Sequence, residues 1–215
     1  MDPTGSDSRR ARGITVAALV LAAAAAVWLA AAYLVTVPVA PQRATVLPEG
    51  MPLPAFSLLD QHGSAVDQQA LLGRWHLAFF GFTHCPDVCP VTLGQLAMAR
   101  RRLADEQPGT TPPEILFISV DPERDSVERV RQYLAPFGDG VTGLTGNPGE
   151  LAGLARSLGI FYAKSDPASG ADYSVDHTAA ILLINPQAEL KAIFGTPHDV
   201  AAIVHDVALL TGDGS

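Results

Sequence analysis

The 215-residue sequence has few cysteines and comparatively few basic residues. Its two cysteines, Cys85 and Cys89, are separated by three residues, and a disulfide across so short a loop would constrain the unfolded chain very little. A purely structural disulfide is therefore a weak explanation for the pair. The 14 Lys and Arg residues are outnumbered by 22 Asp and Glu, which gives a formal net charge of −8. This acidity excludes nucleic acid as an expected partner, because its phosphate backbone would be repelled.

Charge is also missing from one long stretch, since no charged residue lies between Arg12 and Arg43. The core of this stretch, residues 14–37, is apolar and long enough to cross a hydrocarbon layer of about 30 Å as a helix. A cleaved secretory signal usually has a shorter apolar core that ends in small residues, and the nearest such position here is followed by Pro41. The stretch therefore predicts an uncleaved, single transmembrane anchor.

Basic residues before the anchor predict its orientation. Three of them, Arg9, Arg10 and Arg12, precede the apolar stretch, and the positive-inside rule keeps such a segment in the cytoplasm. We therefore expect residues 1–13 to be cytoplasmic, and the chain beyond the anchor to lie on the far side of the inner membrane, in the periplasm or an equivalent space. Disulfides can form and persist in such an oxidising compartment.

The remainder of the chain predicts an α/β domain. Residues 38–54 are rich in proline and typical of an extended linker, while a turn at residues 60–63 predicts an N-terminal β-hairpin in a domain spanning residues 55–215. Buried strands then alternate with helices, which predicts a mostly parallel sheet covered on both faces, in three layers. Residues 142–144 indicate a short connection and residues 164–176 a surface loop. The predicted strands are residues 77–82, 115–120, 179–184 and 190–194, and the predicted helices begin near residues 90, 126, 148 and 199.

The two cysteines follow the first predicted buried strand, where it passes into a helix. Chemistry in α/β proteins gathers at this edge of the sheet, and a helix N-terminus stabilises a thiolate, so that it can lower the pKa of a cysteine. Both sulfurs can converge if Cys89 lies on the first helical turn and Cys85 folds back over it. A structural disulfide, a redox dithiol and a soft-metal site all fit the spacing. Thioredoxin-like redox motifs usually have two intervening residues rather than three, which favours the metal.

A metal site needs a third ligand, and two thiolates with an imidazole would suit copper. Five histidines lie outside the last predicted helix. His62 belongs to a turn, His76 begins a strand at the opposite edge, and His84 adjoins the first cysteine, so its side chain should point away. His177 follows the long loop, which can fold back over the cysteines, and His198 lies between a strand and a helix. For these two, a structural histidine bonded to a loop carbonyl remains an open alternative.

Three motifs in a fixed order match a known family. One membrane span followed by FFGFTHCPDVCPVTL, ISVDPERD and YSVDHTAAILLI resembles the SCO/SenC family of copper-binding, thioredoxin-fold assembly proteins. The resemblance implies a thioredoxin-like fold, with Cys85, Cys89 and His177 as the copper ligands. It also implies an acidic residue near the copper, Asp87, and matches residues 121–125 to the family's DPxRD segment.

The resemblance further implies a function. A member of this family would be a metallochaperone rather than an enzyme, and would deliver copper, as Cu(I) or Cu(II), to the dinuclear CuA centre of a haem-copper (cytochrome c) oxidase subunit, or reduce the cysteines of that centre. A second hypothesis is a membrane-tethered thiol-disulfide oxidoreductase that uses Cys85 and Cys89 without a metal. His177 discriminates between them, because copper binding requires this residue and dithiol chemistry does not.

Overall fold

The computed structural model describes residues 5–35, 40–165 and 173–212, and the chain divides into two units, Met1–Ala40 and Pro41–Ser215. Helix α1 (Gly5–Val35) belongs to the first unit. Its segment Thr15–Tyr33 has a mean hydropathy of 2.2 and is long and apolar enough to cross a membrane. This finding is consistent with the predicted anchor, of which residues 36 and 37 lie outside the described part of the chain.

The second unit is built on a mixed sheet, which has eight strands among the described residues. They are β1 (Ala44–Pro52), β2 (Leu58–Asp60), β3 (Ala65–Val66), β4 (His76–Gly81), β5 (Glu114–Ser119), β6 (Val141–Thr145), β9 (Ile181–Ile184) and β10 (Glu189–Phe194). Their order across the sheet is β1-β10-β9-β4-β5-β6-β2-β3. Two further strands, β7 (Tyr162–Lys164) and β8 (Val175–His177), pair with each other in a separate ladder. The helices are α2 (Val88–Glu106), α3 (Val127–Leu134), α4 (Pro148–Ser157) and α5 (Val200–Gly212), with 3-10 turns at Gln68–Leu71 and Ala135–Phe137.

Strand directions in the sheet correct one prediction. The pairs β4–β5 and β5–β6 are parallel, whereas the other strand pairs among the described residues are antiparallel. The expectation of a mostly parallel sheet is therefore wrong. The reason is that the β9–β10 hairpin packs antiparallel beside β4, and β2 returns antiparallel beside β6. The predicted N-terminal hairpin is confirmed by the antiparallel pair β2–β3.

The central strands are covered on both faces. Every residue of β4 and β9 is buried, and successive side chains of a strand point to opposite faces. Helices α2 and α5 pack against each other beside this sheet. The burial of both faces confirms the predicted layered α/β architecture.

Capping side chains explain where two of the helices begin. Ser126 precedes α3, and its hydroxyl accepts a hydrogen bond from the backbone N–H of Arg129 at 3.2 Å, which accounts for the helix start predicted near residue 126. Asn147 precedes α4 in the same way and accepts from the N–H of Gly149 at 2.7 Å, while Pro148 occupies the first helical position.

The first strand corrects the predicted linker. Residues 44–52 form β1, which pairs antiparallel with β10, so the extended tether predicted for residues 38–54 is wrong for this part and the folded unit begins before residue 55. Pro48 hid the strand from sequence analysis, but proline is tolerated here because β1 lies at the edge of the sheet. Three successive backbone N–H groups at its start donate to the buried carboxylate of Asp206 at 2.7 to 2.8 Å.

The connection predicted at residues 142–144 is in fact strand β6, which runs parallel to β5. Gly143 lowers the β-propensity of this segment, and that glycine has a packing reason. A Cβ at this position would collide with the side chains of Val130 and Leu134 on α3. The strand therefore forms because the glycine lets α3 lie directly on it.

The structure describes both ends of the predicted surface loop at residues 164–176. Its ends belong to β7 and β8, whose register places Tyr162 opposite His177 and Lys164 opposite Val175. Residues 166–172 lie outside the described residues. This hairpin carries His177 toward the cysteines.

Candidate metal centre

The two cysteines lie where β4 passes into α2, as predicted. Cys89 is the second residue of α2 and is fully buried, and Cys85 is half-buried in the preceding turn. The backbone N–H of Cys89 donates to Cys85 Sγ at 3.4 Å, so that Cys85 folds back over the start of the helix. Gly81, at the end of β4, makes room for this arrangement, because a Cβ there would lie 3.0 Å from Cys89 Sγ and 2.8 Å from the ring of Phe117.

His177 lies beside the two thiols although it is 88 residues beyond Cys89 in the sequence. It is the last residue of β8, and its Nε2 lies 3.5 Å from Cys89 Sγ. The two sulfurs and one ring nitrogen all lie within 4.8 Å of one another, so the three residues could hold one metal ion. The structure therefore brings together the three residues that the family resemblance implied as ligands.

The ring of His177 is oriented for metal binding. Its Nδ1 lies 3.2 Å from the carbonyl oxygen of Thr178, and because a carbonyl can only accept, the proton is on Nδ1 and Nε2 keeps a free lone pair. The ring also makes edge-on contacts with Phe79 and Phe82, at centroid distances of 5.8 and 5.9 Å. Burial lowers the pKa of His177, which favours the neutral imidazole that metals bind.

The electrostatics at Cys89 correct one expectation. Burial, with a smaller effect of its contact with Cys85, raises the pKa of the Cys89 thiol well above its ordinary value, although the thiol lies at a helix N-terminus. Desolvation therefore outweighs the helix dipole. A bound cation would offset that cost, since it takes the place of the proton on sulfur. Two sulfur donors and one imidazole nitrogen form a soft set that fits copper.

The other candidate histidines stay outside this group. His84 Nδ1 lies 3.1 Å from the hydroxyl of Thr83, which agrees with the prediction that its side chain points away from the cysteine. His198 donates from Nε2 to the carbonyl of Ala179 at 2.8 Å, which is the structural role considered for it. His76 is buried at the start of β4, and His62 lies in the turn between β2 and β3.

Asp87 directly precedes α2 and lies next to the metal-binding group in sequence. Its side chain is exposed and makes no capping hydrogen bond to the helix. It is not among the three residues that converge on the site. The role near the copper that the family resemblance implies for its carboxylate therefore stays a prediction.

A buried carboxylate that the sequence did not single out supports the cysteine side. Asp125 accepts hydrogen bonds from the N–H and the hydroxyl of Thr83, at 3.0 and 2.6 Å, and from the hydroxyl of Ser119 at 2.7 Å. Thr83 lies two residues before Cys85. Asp125 thus ties the cysteine turn to the end of β5. The DPERD motif drew attention to this segment, but no local pattern reveals its partner 42 residues away.

Known proteins are similar to this chain in sequence and in fold. A profile of the SCO1/SenC family matches residues 50–212. Protein SCO1 homolog 1 of Arabidopsis thaliana mitochondria is 39% identical over 152 residues, which cover 71% of this chain and 45% of that protein. The crystal structure of Arabidopsis thaliana ScoI with copper bound has a TM-score of 0.69 at 36% identity, and covers 74% of this chain and 98% of that one. The structure of Bradyrhizobium japonicum ScoI with copper bound has a TM-score of 0.64 at 35% identity, over 73% and 97%.

These likenesses confirm the thioredoxin-like α/β fold and concern the second unit of the chain. The chain covers about half the length of the mitochondrial relatives that it matches. Both solved relatives are described with copper bound, and the three residues that converge in this structure provide a donor set suited to that metal. From the family profile, the fold and the motif residues together, the chain belongs to the SCO1/SenC family.

Proposed function

We propose that this protein is a membrane-anchored copper chaperone, which carries one copper ion on Cys85, Cys89 and His177 and delivers it to the CuA-bearing subunit of a haem-copper oxidase. The observation that carries the proposal is the convergence of the two sulfurs and the Nε2 of His177 within 4.8 Å. Family membership and the copper-bound relatives support the choice of metal. The family resemblance supports the choice of client.

The geometry suits a cargo that has to leave again. Three ligands hold the ion, and a further ligand from the acceptor can enter before any of them departs. Cys85 is only half-buried, whereas Cys89 is fully enclosed, so the approach of an acceptor is through the Cys85 side. The soft sulfur pair favours Cu(I), and the imidazole also serves Cu(II).

The apolar helix supports the proposed location. The segment Thr15–Tyr33 would anchor the chain once in the inner membrane, and the arginines before it would keep the N-terminus in the cytoplasm and the folded unit in the periplasm. A tethered carrier meets a membrane-bound client at a raised effective concentration. It can therefore work with a weak intrinsic affinity for that client.

The test has two steps. Anaerobic loading with Cu(I) followed by dialysis should leave one copper per chain, and the His177→Ala variant should retain it less tightly. The loaded protein is then mixed with a purified CuA domain, and copper is followed into the acceptor. Copper that stays on the donor, or loading that is unaffected by His177→Ala, would contradict the proposal.

A second function, reduction of the acceptor's cysteines, is favoured by the free state and proximity of the two thiols. In that reaction Cys85 and Cys89 form a disulfide and release two electrons and two protons, which convert the acceptor's disulfide to two thiols. The raised pKa of Cys89 opposes it, because the thiolate is the attacking form.

Protein oxidised beforehand should take up little copper until it is reduced, since sulfurs in a disulfide are no longer thiolates. Reduction of the acceptor by the His177→Ala variant at the parent's rate, with no copper transfer by the parent, would favour this second function.

A further inference from the structure

A second buried carboxylate lies just beyond β5 and faces the histidine side of the site. Asp121 is fully buried, and each of its oxygens has a partner from a different part of the chain. The hydroxyl of Tyr173 donates to Oδ1 at 2.6 Å, and the Nε of Arg124 donates to Oδ2 at 2.5 Å. The carboxylate therefore joins the loop after β5 to the segment that leads into β8.

Arg124 makes two contacts with the same tyrosine. Its Nη1 donates to the backbone carbonyl of Tyr173 at 2.9 Å, and its guanidinium carbon lies 3.7 Å from the centroid of the tyrosine ring. The hydroxyl, the ring and the backbone of Tyr173 are thus all held by one loop. Planar stacking with simultaneous hydrogen bonding is a geometry that arginine provides and lysine does not.

The neighbouring strand is held to the same loop. Lys164, the last residue of β7, forms an ion pair with Glu123 at 2.6 Å, and its Nζ lies 4.9 Å from the centroid of the Tyr173 ring. Both side chains of this ion pair are substantially exposed, so it adds little to stability by itself. The group formed by Asp121, Arg124 and Tyr173, in which Asp121 is fully buried and the other two are partly buried, is therefore the main attachment on this side, and we name it the tyrosine clamp.

The tyrosine clamp lies close to His177 along the chain. Tyr173 comes two residues before β8, and β8 ends at His177. Strand β8 pairs with β7 in a ladder separate from the eight-stranded sheet, so the backbone hydrogen bonds of that sheet do not set the distance from His177 to the cysteines. Side-chain contacts therefore contribute to this distance, both those of the His177 ring with Phe79 and Phe82 and those that hold the start of the hairpin's second strand.

We propose that Asp121, Arg124 and Tyr173 are positioning residues for the metal site, which hold β8 so that the Nε2 of His177 faces the two thiols. The inference rests on the proposed function, since it concerns a ligand of the same site. None of the three is among the residues that could hold the metal ion. Removing a group that is hydrogen-bonded to a metal ligand typically weakens metal binding about tenfold to a hundredfold, and for residues that act on the ligand through its strand we expect the lower end of that range.

The test measures Cu(I) affinity of the full chain in detergent, by competition with a chromogenic chelator. Tyr173→Phe removes one hydroxyl and keeps the ring, and we expect it to weaken Cu(I) binding about tenfold. Asp121→Asn should weaken binding to a similar extent, and the double variant should bind no more weakly than the worse single variant, because the two residues share one contact. Tyr162→Phe is the matched control, since the Tyr162 hydroxyl bonds to none of the described residues; it should bind as the parent does.

A merely structural role is separated by repeating Tyr173→Phe in the His177→Ala background. Positioning of His177 predicts that the tenfold effect disappears there, because no ring remains to be positioned. An effect of equal size in both backgrounds, or parental affinity of Tyr173→Phe itself, would overturn the inference and leave the proposed function intact. If His177→Ala binds copper as the parent does, the ligand set of the proposed function has failed instead.

The metal-free protein offers an independent readout. The ring of His177 makes T-shaped contacts with the rings of Phe79 and Phe82, so the NMR shifts of its ring protons report the ring position. Tyr173→Phe should move these signals, and Tyr162→Phe should leave them in place. Signals that are identical in Tyr173→Phe and the parent would overturn the inference.

Discussion

The two sides of the metal centre are built differently. The cysteines lie on one continuous segment, from the end of β4 into α2, and Asp125 fastens it to the middle of the eight-stranded sheet. His177 comes from a separate two-stranded hairpin, which the tyrosine clamp attaches to the loop after β5. Asp125, together with the Asp121 and Arg124 of the tyrosine clamp, belongs to one short segment, residues 121–125.

The difference suggests a division of labour. We expect a thiol pair set by the central sheet to persist whether or not the hairpin is in place, and the histidine to contribute only while the hairpin is held. Copper delivery needs both properties, since the donor has to bind firmly and also to give up a ligand when the acceptor arrives.

Loss of a cysteine should have the largest effect. Cys89→Ser keeps nearly the same shape but replaces a soft sulfur by a hard hydroxyl in a buried position, so we expect Cu(I) affinity to fall by more than about a hundredfold. Competition with a chelator measures the change, and circular dichroism checks that the fold is kept. A well-folded Cys89→Ser protein with parental affinity would show that copper binds elsewhere.

Loss of the fastener on the cysteine side should mainly affect stability. Asp125→Asn places an amide where the carboxylate accepts from the N–H of Thr83, and we expect the free energy of unfolding to fall by about 2 kcal/mol. Tyr173→Phe, on the histidine side, should cost about 1 kcal/mol or less, because only one hydroxyl bond is lost. Urea denaturation compares the two. Equal losses would remove the distinction between the two sides.

Copper affinity should rise with pH. The raised pKa of Cys89 means that this thiol still carries its proton near neutral pH, and copper has to displace it. For each proton released, the copper affinity rises about tenfold per pH unit. Between pH 6.5 and 8 we therefore expect the logarithm of the affinity to rise by at least about one for each pH unit. The lowered pKa of His177 keeps its ring neutral over this range, and it adds to the slope only at lower pH. Chelator competition across pH gives the slope, and a flat profile would contradict the assigned protonation of Cys89.

The smallest effect is expected for Asp87, which is exposed beside the candidate metal site. Asp87 is exposed and caps nothing, so Asp87→Asn should leave copper affinity unchanged and slow transfer to a CuA domain only about twofold to threefold. High salt should reduce the difference between the variant and the parent, because it screens exposed charges. Stopped-flow transfer at low and high ionic strength is the measurement. If the variant and the parent transfer copper at the same rate at both salt concentrations, the Asp87 carboxylate has no role in transfer.

The sequence predicted the features that depend on short stretches. The apolar runs of β4 and β5, the cap at Ser126 and the turn of the first hairpin could all be read locally, and the convergence of the three ligands was implied by the family motifs. The edge strand β1 was missed because Pro48 interrupts it, and β6 was missed because Gly143 lacks a side chain. The pKa of Cys89 was misjudged because burial depends on the whole fold.

The partners of residues 121–125 could not be predicted for a similar reason. Asp125 bonds to a residue 42 positions away, and Asp121 to one 52 positions away. No periodicity or propensity records such pairs, since the contacts exist only when the sheet has placed both segments side by side. The motif drew attention to residues 121–125, and the structure shows that two of their carboxylates bond to Thr83 and Tyr173.

X-ray absorption at the copper edge is the most direct test of the proposed ligand set, because it reports the atoms bound to the metal. The Cu(I)-loaded protein should show two sulfur scatterers and one imidazole, and His177→Ala should lose the imidazole signal while it keeps both sulfurs. An imidazole signal of unchanged intensity in His177→Ala, or a spectrum without a sulfur pair in the parent, would contradict a site formed by Cys85, Cys89 and His177.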